Sequence, residues 1–202
     1  MKLITLLFLL IFPIKMLYAH PHMFVDVQPY LEKIDKEKNE VKIHNKWYFD
    51  EFSSAGFYMD YDQNQNQKLD KKEIKQIEKD FKKGLKKYKY FLTIKLNSKK
   101  VSPEVQNFKI HTKKETKKKG QSMGSLISNE NAEKETTVNI VYYEFDIIIP
   151  GKITNKSKLE ISYYDETIFS VLYPRKKVIP KNNITLTSNK LTKNKCLFEI
   201  GF

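Results

Sequence analysis

Asp62-Gln63-Asn64-Gln65-Asn66-Gln67-Lys68-Leu69-Asp70-Lys71-Lys72-Glu73 is the stretch that decides what kind of fold this chain adopts. It carries side-chain oxygens at Asp62, Asn64 and Asn66, then at Asp70 and a closing Glu73, with one apolar residue, Leu69, among them. Residues 48–61 can enter it as a helix, and residues 71–88 can leave it as one. In the second segment Ile74, Ile77, Phe81, Leu85 and Tyr88 recur every three or four residues, the spacing of one face of a helix, while lysines fill the rest. Both flanking regions alternate like strands, so the chain reads as α+β with a helix-loop-helix set among strands.

The spacing of oxygens suits a hard cation. Calcium takes about six to eight oxygens, and a twelve-residue loop supplies them from alternate side chains, one backbone carbonyl and a final bidentate Glu. Here those are Asp62, Asn64, Asn66, the carbonyl of Lys68, Asp70 and Glu73. The loop resembles an EF-hand loop with two departures. Gln67 stands where a glycine would give φ > 0 at no steric cost, and two of the acidic positions are Asn. With Lys68, Lys71 and Lys72 nearby, weak calcium binding is expected, and a polar turn that binds nothing is the alternative.

Working outward, residues 22–30 alternate as a strand with Met23, Val25 and Val27 on one face. Residues 31–39 are charged and read as a turn, and Val41, Ile43, Asn45 and Trp47 mark a second strand that forms a hairpin with the first. Phe49, Phe52, Phe57 and Met59 are expected to line one side of the entering helix. Further strands are expected at 90–96, 105–111, 136–150, 159–164, 169–173, 184–186 and 197–200, with 136–150 the central one. Residues 112–135 are hydrophilic and read as a mobile loop. Eight or so short strands at this spacing predict an antiparallel β-sandwich-like domain carrying the helix-loop-helix, residues 48–89, as an insertion after its first two strands.

The start of the chain reads as an address. Lys2, an apolar run from Leu3 to Ile14 and a small Ala19 have the form of a secretory signal peptide, residues 1–19, leaving a single β-rich domain at 20–202. The run is short of the about 20 residues that span a bilayer. The segment holds two lysines and no acid, so its removal takes the net charge from +13 to +11. That excess is scattered rather than gathered with aromatics on one face, and no nucleic-acid partner is expected. Cys196 is the only cysteine, which excludes an intrachain disulfide, and its apolar neighbours make it a buried thiol.

Cleavage before His20 would expose a chain end His20-Pro21-His22. A terminal amine and two imidazoles suit nickel, cobalt, zinc or copper rather than calcium. On an extended chain the two histidine Cα atoms lie about 6 to 7 Å apart on one face. Pro21 has no N–H to lose, which closes the square-planar mode built on deprotonated amides. His44 and His111 read as lone histidines, and Asp50-Glu51 and Asp165-Glu166 as helix-start and turn acids rather than an acid-base pair. No phosphate loop or nucleophile motif is present, and no enzyme activity is expected.

Several of these segments carry a family resemblance. His20-Pro-His-Met-Phe-Val-Asp26, Trp47-Tyr-Phe-Asp-Glu-Phe-Ser53, the loop at 62–73, Lys87-Tyr-Lys-Tyr-Phe91 and Tyr163-Tyr-Asp-Glu-Thr-Ile-Phe169 resemble, in order, the DUF1007 family of periplasmic proteins. The resemblance implies a periplasmic component of a transport system, acting with an inner-membrane nickel/cobalt-type permease. The expectation is a protein that captures a transition metal at His20 and His22 and delivers it to a membrane transporter, with calcium stiffening the helical insertion. The alternative is a non-catalytic β-sandwich adaptor for a protein partner, with a calcium-stabilised structural loop.

Overall fold

The computed structural model describes residues 23–117, 136–167 and 170–201. Residues 1–19, read above as a signal peptide, and His20 and His22 lie outside them. β1 (Met23–Asp35) and β2 (Glu40–Phe49) form the expected hairpin, and β2 alternates strictly, Val41, Ile43, Asn45, Trp47 and Phe49 buried and the residues between half-buried. β1 continues to Asp35, past the point where its charge suggests a turn; only 36–39 turn, with Asn39 at φ 53°. Pairing along the whole of β2 holds those charged residues in the ladder.

α1 (Glu51–Tyr61) and α2 (Lys71–Lys87) follow, joined by the loop at 62–70. Asp50 caps α1, accepting from the backbone N–H of Ser53 at 2.6 Å, and its other oxygen accepts from Phe24 N at 3.2 Å. The helix is thereby pinned to β1. α1 does not bury the expected face. Phe57 is buried with Ser53 and Ser54, whereas Phe52 is 71% exposed and Met59 86%. Seven residues are nearly two full turns, so Phe52 and Met59 share a stripe, and Phe57 lies on a different side. On α2 the pattern holds as far as Leu85: Ile77 and Leu85 are buried, with Ile74 and Phe81 packed against the same core, whereas Tyr88, at the C-cap, is exposed.

A short turn at Lys89–Phe91, all three residues at φ 51–53°, leads into β3 (Leu92–Leu96) and β4 (Lys99–Val101). Then come β5 (Glu104–Lys117), β6 (Thr136–Pro150), β7 (Lys158–Tyr163), β8 (Ser170–Pro174), β9 (Ile179–Pro180), β10 (Thr185–Thr192) and β11 (Lys195–Gly201). The first sheet runs β5-β6-β2-β1-β8, with β9 also on β1; the second runs β10-β11-β7-β3-β4. This is a β-sandwich-like α+β fold of two sheets and two helices. The helical segment carries the chain from the first sheet, at β2, to the second, at β3. The expected loop at 112–135 is corrected in part, since residues 112–117 pair with β6; residues 118–135 lie outside the description. The sheets are also not wholly antiparallel, because β8 and β9 run parallel to β1.

Trp47, Phe145 and Tyr163 meet at the centre of the core, with Trp47 edge-on to both rings at 5.0 and 6.5 Å. The Tyr163 hydroxyl donates across the two sheets to Asn45 Oδ1 at 3.0 Å, both groups buried. Burial raises the Tyr163 hydroxyl well above its ordinary pKa, so it stays a donor. Among the described residues no helix is long and apolar enough to cross a membrane.

Candidate functional site

The outward face of the first sheet carries a cluster that strict alternation does not foresee. β1 and β2 pair Leu31 with Ile43 and then Lys33 with Lys42, so Glu32 is the extra residue of a β-bulge. A second bulge falls between Gln106 and Lys109 on β5, where Asn107 adopts φ 54°. Bulges re-aim side chains. Between these two, β2 contributes Lys42 and His44, and β6 contributes Asp146, directly opposite His44 in the register.

Glu32, His44 and Asp146 offer ligand atoms that all lie within 4.8 Å of one another. His44 Nδ1 is 2.9 Å from Asp146 Oδ1, and Asn107 Nδ2 donates to Asp146 Oδ2 at 2.7 Å. A carboxylate can only accept, so the neutral ring carries its proton on Nδ1 and keeps a lone pair on Nε2. Lys42 Nζ sits 3.0 Å from Asp146 Oδ2 and 3.0 Å from Glu32 Oε2. The Glu32 contact is a partly exposed ion pair that, with the one to Asp146, raises the Lys42 pKa. Two carboxylates and an imidazole gathered around one cation is the donor set of a zinc, nickel, cobalt or manganese site. In this arrangement the cation is an ammonium.

Burial pushes the Asp146 carboxyl up, but Asn107, His44 and Lys42 outweigh it and hold the group below the ordinary carboxylate range. Lys42 moves the other way, raised chiefly by its bond to Asp146. Next along the face, burial raises Glu144 and is outweighed by Lys46, His111 and His44, leaving it lowered. A carboxyl depressed in the fold contributes stability above its unfolded pKa and loses it as pH falls through the folded value. Acid titration is therefore expected to destabilise the protein progressively below about pH 4. Asp146→Asn should be less stable than wild type at pH 7, with a flatter decline below pH 4. Denaturant midpoints across pH check this; parallel curves would refute it.

The loop residues lie elsewhere. Asp62 accepts from Asn66 N at 3.1 Å and Gln67 N at 2.7 Å, and Asn64 and Asn66 each accept a backbone N–H two residues on. Asp70 and Glu73 form a capping box at the start of α2, and Glu73 also accepts from Gln63 N at 2.9 Å. Leu69 is buried as the loop's apolar tie. Gln67 does adopt φ 60°, the backbone the glycine position requires. The capping box thus engages Asp70 and Glu73, while Asp62 holds the turn through the N–H groups of Asn66 and Gln67. Gln67→Gly is expected to raise stability by about 1 kcal/mol by relieving left-handed backbone strain. Urea denaturation with and without calcium reads this, and a destabilised variant would count against it.

Other groups singled out in the sequence have structural places. Asp165 accepts from Thr167 N and Ser170 N within its own turn. Cys196 is buried and its thiol is pushed up to about 12 by burial, which leaves it protonated and unreactive. Glu32 and Asp146 were not foreseen as site residues, because residues 31–39 read as a turn and residues 136–150 as the central strand.

The chain matches, over residues 5–200, the family described as "Protein of unknown function (DUF1007)". A search of curated proteins found no match. Among solved structures the chain is similar to the acetylcholine-binding protein type 1 of Biomphalaria glabrata, with 10% identity and a TM-score of 0.35, covering 92% of this chain and 88% of that one. That likeness is too distant to bear on fold or function. By the extent of its family match, the chain belongs to the DUF1007 family.

Proposed function

We propose that this member of the DUF1007 family is a non-catalytic, exported protein that binds a divalent transition metal reversibly and hands it to, or works with, a membrane metal transporter. The observation that carries the reading is the convergence of Glu32, His44 and Asp146 between two bulges. Lys42 gives the site a release mechanism. A metal has to displace an ammonium held by both carboxylates, so binding is moderate and unloading leaves the cluster charge-compensated rather than bare. Because the imidazole must be neutral to bind, acidification also favours release.

The terminal His20 and His22 are a second capture point in this reading, and the loop at 62–73 a separate calcium-type site. Calorimetric titration of the secreted protein with nickel, cobalt, zinc and copper tests it. His44→Ala is expected to lower affinity at least tenfold at the sheet cluster. His20→Ala/His22→Ala should remove any additional binding while leaving the sheet site intact. Unchanged binding in His44→Ala would remove the sheet cluster from the reading, and no binding by the wild type would end it.

A second reading, a protein-interaction adaptor, is favoured by one observation: Phe52 and Met59 stand out from α1 with nothing described covering them. Co-purification with a membrane permease in the presence of chelator, lost in Phe52→Ser, would support that reading over metal capture.

A further inference from the structure

The positive excess reads as scattered along the sequence, but the fold gathers part of it at one end of α2. Residues 71–80, the first half of the helix, hold four lysines and three acids, whereas residues 81–103 hold eight lysines and no acid. Lys82, Lys86 and Lys89 recur at four and three residues, the spacing of one helix face, and Lys100 of the edge strand β4 lines the same groove, 590 Å³ in volume. All four are exposed, and among the described residues none of them is paired with a carboxylate. The turn that ends the helix sets aromatic rings beside these charges. Lys89, Tyr90 and Phe91 are all left-handed, a backbone disfavoured for residues with a Cβ, and the turn buries Tyr90 while leaving Lys89 on the rim. Tyr88, 43% exposed, stacks on Phe91 at 5.8 Å. Tyr164, 60% exposed, is tied to the same turn, its N–H donating to the Phe91 carbonyl at 2.8 Å. Tyr88 and Phe91 also border the apolar cavity beneath α2 that Trp47 lines.

We propose that this end of α2 docks the protein on a bilayer containing anionic phospholipid, with Lys82, Lys86, Lys89 and Lys100 meeting the phosphate layer and Tyr88 and Tyr164 beside them at head-group depth. Charge complementarity selects the partner. Lysines clustered with no acid between them are attracted to an anionic membrane surface, and tyrosine is enriched where bilayer meets water. The choice of cation narrows the class further. Arg175 is the chain's one arginine. Lysine is a compact, hydrated charge on a flexible stem, suited to a diffuse negative surface, whereas the planar fork of arginine favours fixed, bidentate recognition of a single group. Because no neighbouring carboxylate holds the four lysines, the face offers charge rather than a set geometry. The inference does not rest on the metal reading, since none of these residues belongs to the cluster of Glu32, His44 and Asp146.

The test sediments the secreted protein with vesicles of phosphatidylcholine alone and of phosphatidylcholine with about one-third phosphatidylglycerol, at low salt and at about 0.5 M salt, where surface charge is screened. Binding is expected on the anionic vesicles only, and is lost at the higher salt. A lysine near such a surface is worth about fivefold in affinity. Lys82→Gln/Lys86→Gln/Lys89→Gln should therefore weaken binding at least about tenfold. Lys71→Gln/Lys72→Gln/Lys75→Gln removes the same charge from the other end of the same helix and should stay within about threefold of wild type. All six side chains are exposed, so both variants should fold as wild type does, which thermal melts verify. Chelator should change none of these results, which separates a failure here from a failure of metal binding. No binding to the anionic vesicles, equal binding to neutral ones, or an equal loss in the two variants would each overturn the proposal. So would tighter binding to polyglutamate than to the vesicles, which would assign the face to an acidic protein.

Discussion

Lys42→Met is expected to raise the protein's affinity for zinc or nickel at least tenfold, and to make its stability depend on metal. In the present arrangement the ammonium lies 3.0 Å from a carboxylate oxygen of both Glu32 and Asp146. Methionine keeps the length of the stem and removes the charge, so the two carboxylates are left facing each other beside His44. Breaking one side of a buried ion pair is strongly destabilising, but Lys42 is about one-third exposed and solvent screens the loss, so the cost is about 1–2 kcal/mol. A divalent ion supplies more charge than the lysine did and no longer competes with it. At 100 times its dissociation constant, metal returns about 2.7 kcal/mol. The variant should thus unfold earlier than wild type in chelator and be stabilised more by metal than wild type is, as read by thermal melts under both conditions. Equal or weaker metal binding in Lys42→Met would mean that the ammonium is not holding the metal's place, and the assignment of the site would fail with it.

The elements were far easier to read from the sequence than the site. Hydrophobic period located β2 and α2, whose apolar positions report the buried face, and a long β-branched and aromatic run located β6. The loop between the helices was recognised from its spaced oxygens, and the capping box that Asp70 and Glu73 form at the start of α2 was not read from them. The α1 face was misread because four aromatic or long apolar side chains within eleven residues invite grouping by type rather than by angle. The cluster of Glu32, His44 and Asp146 was invisible for a deeper reason. Its members come from β1, β2 and β6, and two of its supports are bulges, each a one-residue break in the alternation by which strands are recognised. Only the pairing register, a non-local property, sets His44 opposite Asp146 and turns Glu32 toward Lys42. A glutamate in a charged segment and a histidine between lysines carry no local mark of that meeting.

Trp47→Ala is expected to cost about 3–5 kcal/mol, the usual range for deleting a buried Trp side chain. Against a total stability of about 5–15 kcal/mol that is enough to leave the domain barely folded. The position makes the upper end the better expectation. Trp47 is the contact through which Phe145 of the first sheet and Tyr163 of the second meet edge-on, and it already borders the cavity beneath α2. Truncation therefore merges a new void with an existing one, and the walls on either side are sheets, which cannot collapse inward without breaking register. Because one side chain serves both sheets, the loss should appear as a single shifted transition rather than as melting of one sheet before the other. Guanidinium unfolding followed by far-ultraviolet circular dichroism and by tyrosine emission reads this directly. Phe52→Ala, on the exposed stripe of α1, should stay within about 0.5 kcal/mol of wild type and serves as the control. A cost below about 1 kcal/mol for Trp47→Ala, or two separated transitions in the wild type, would show that the sheets do not share a core, since a shared core cannot lose its largest side chain so cheaply.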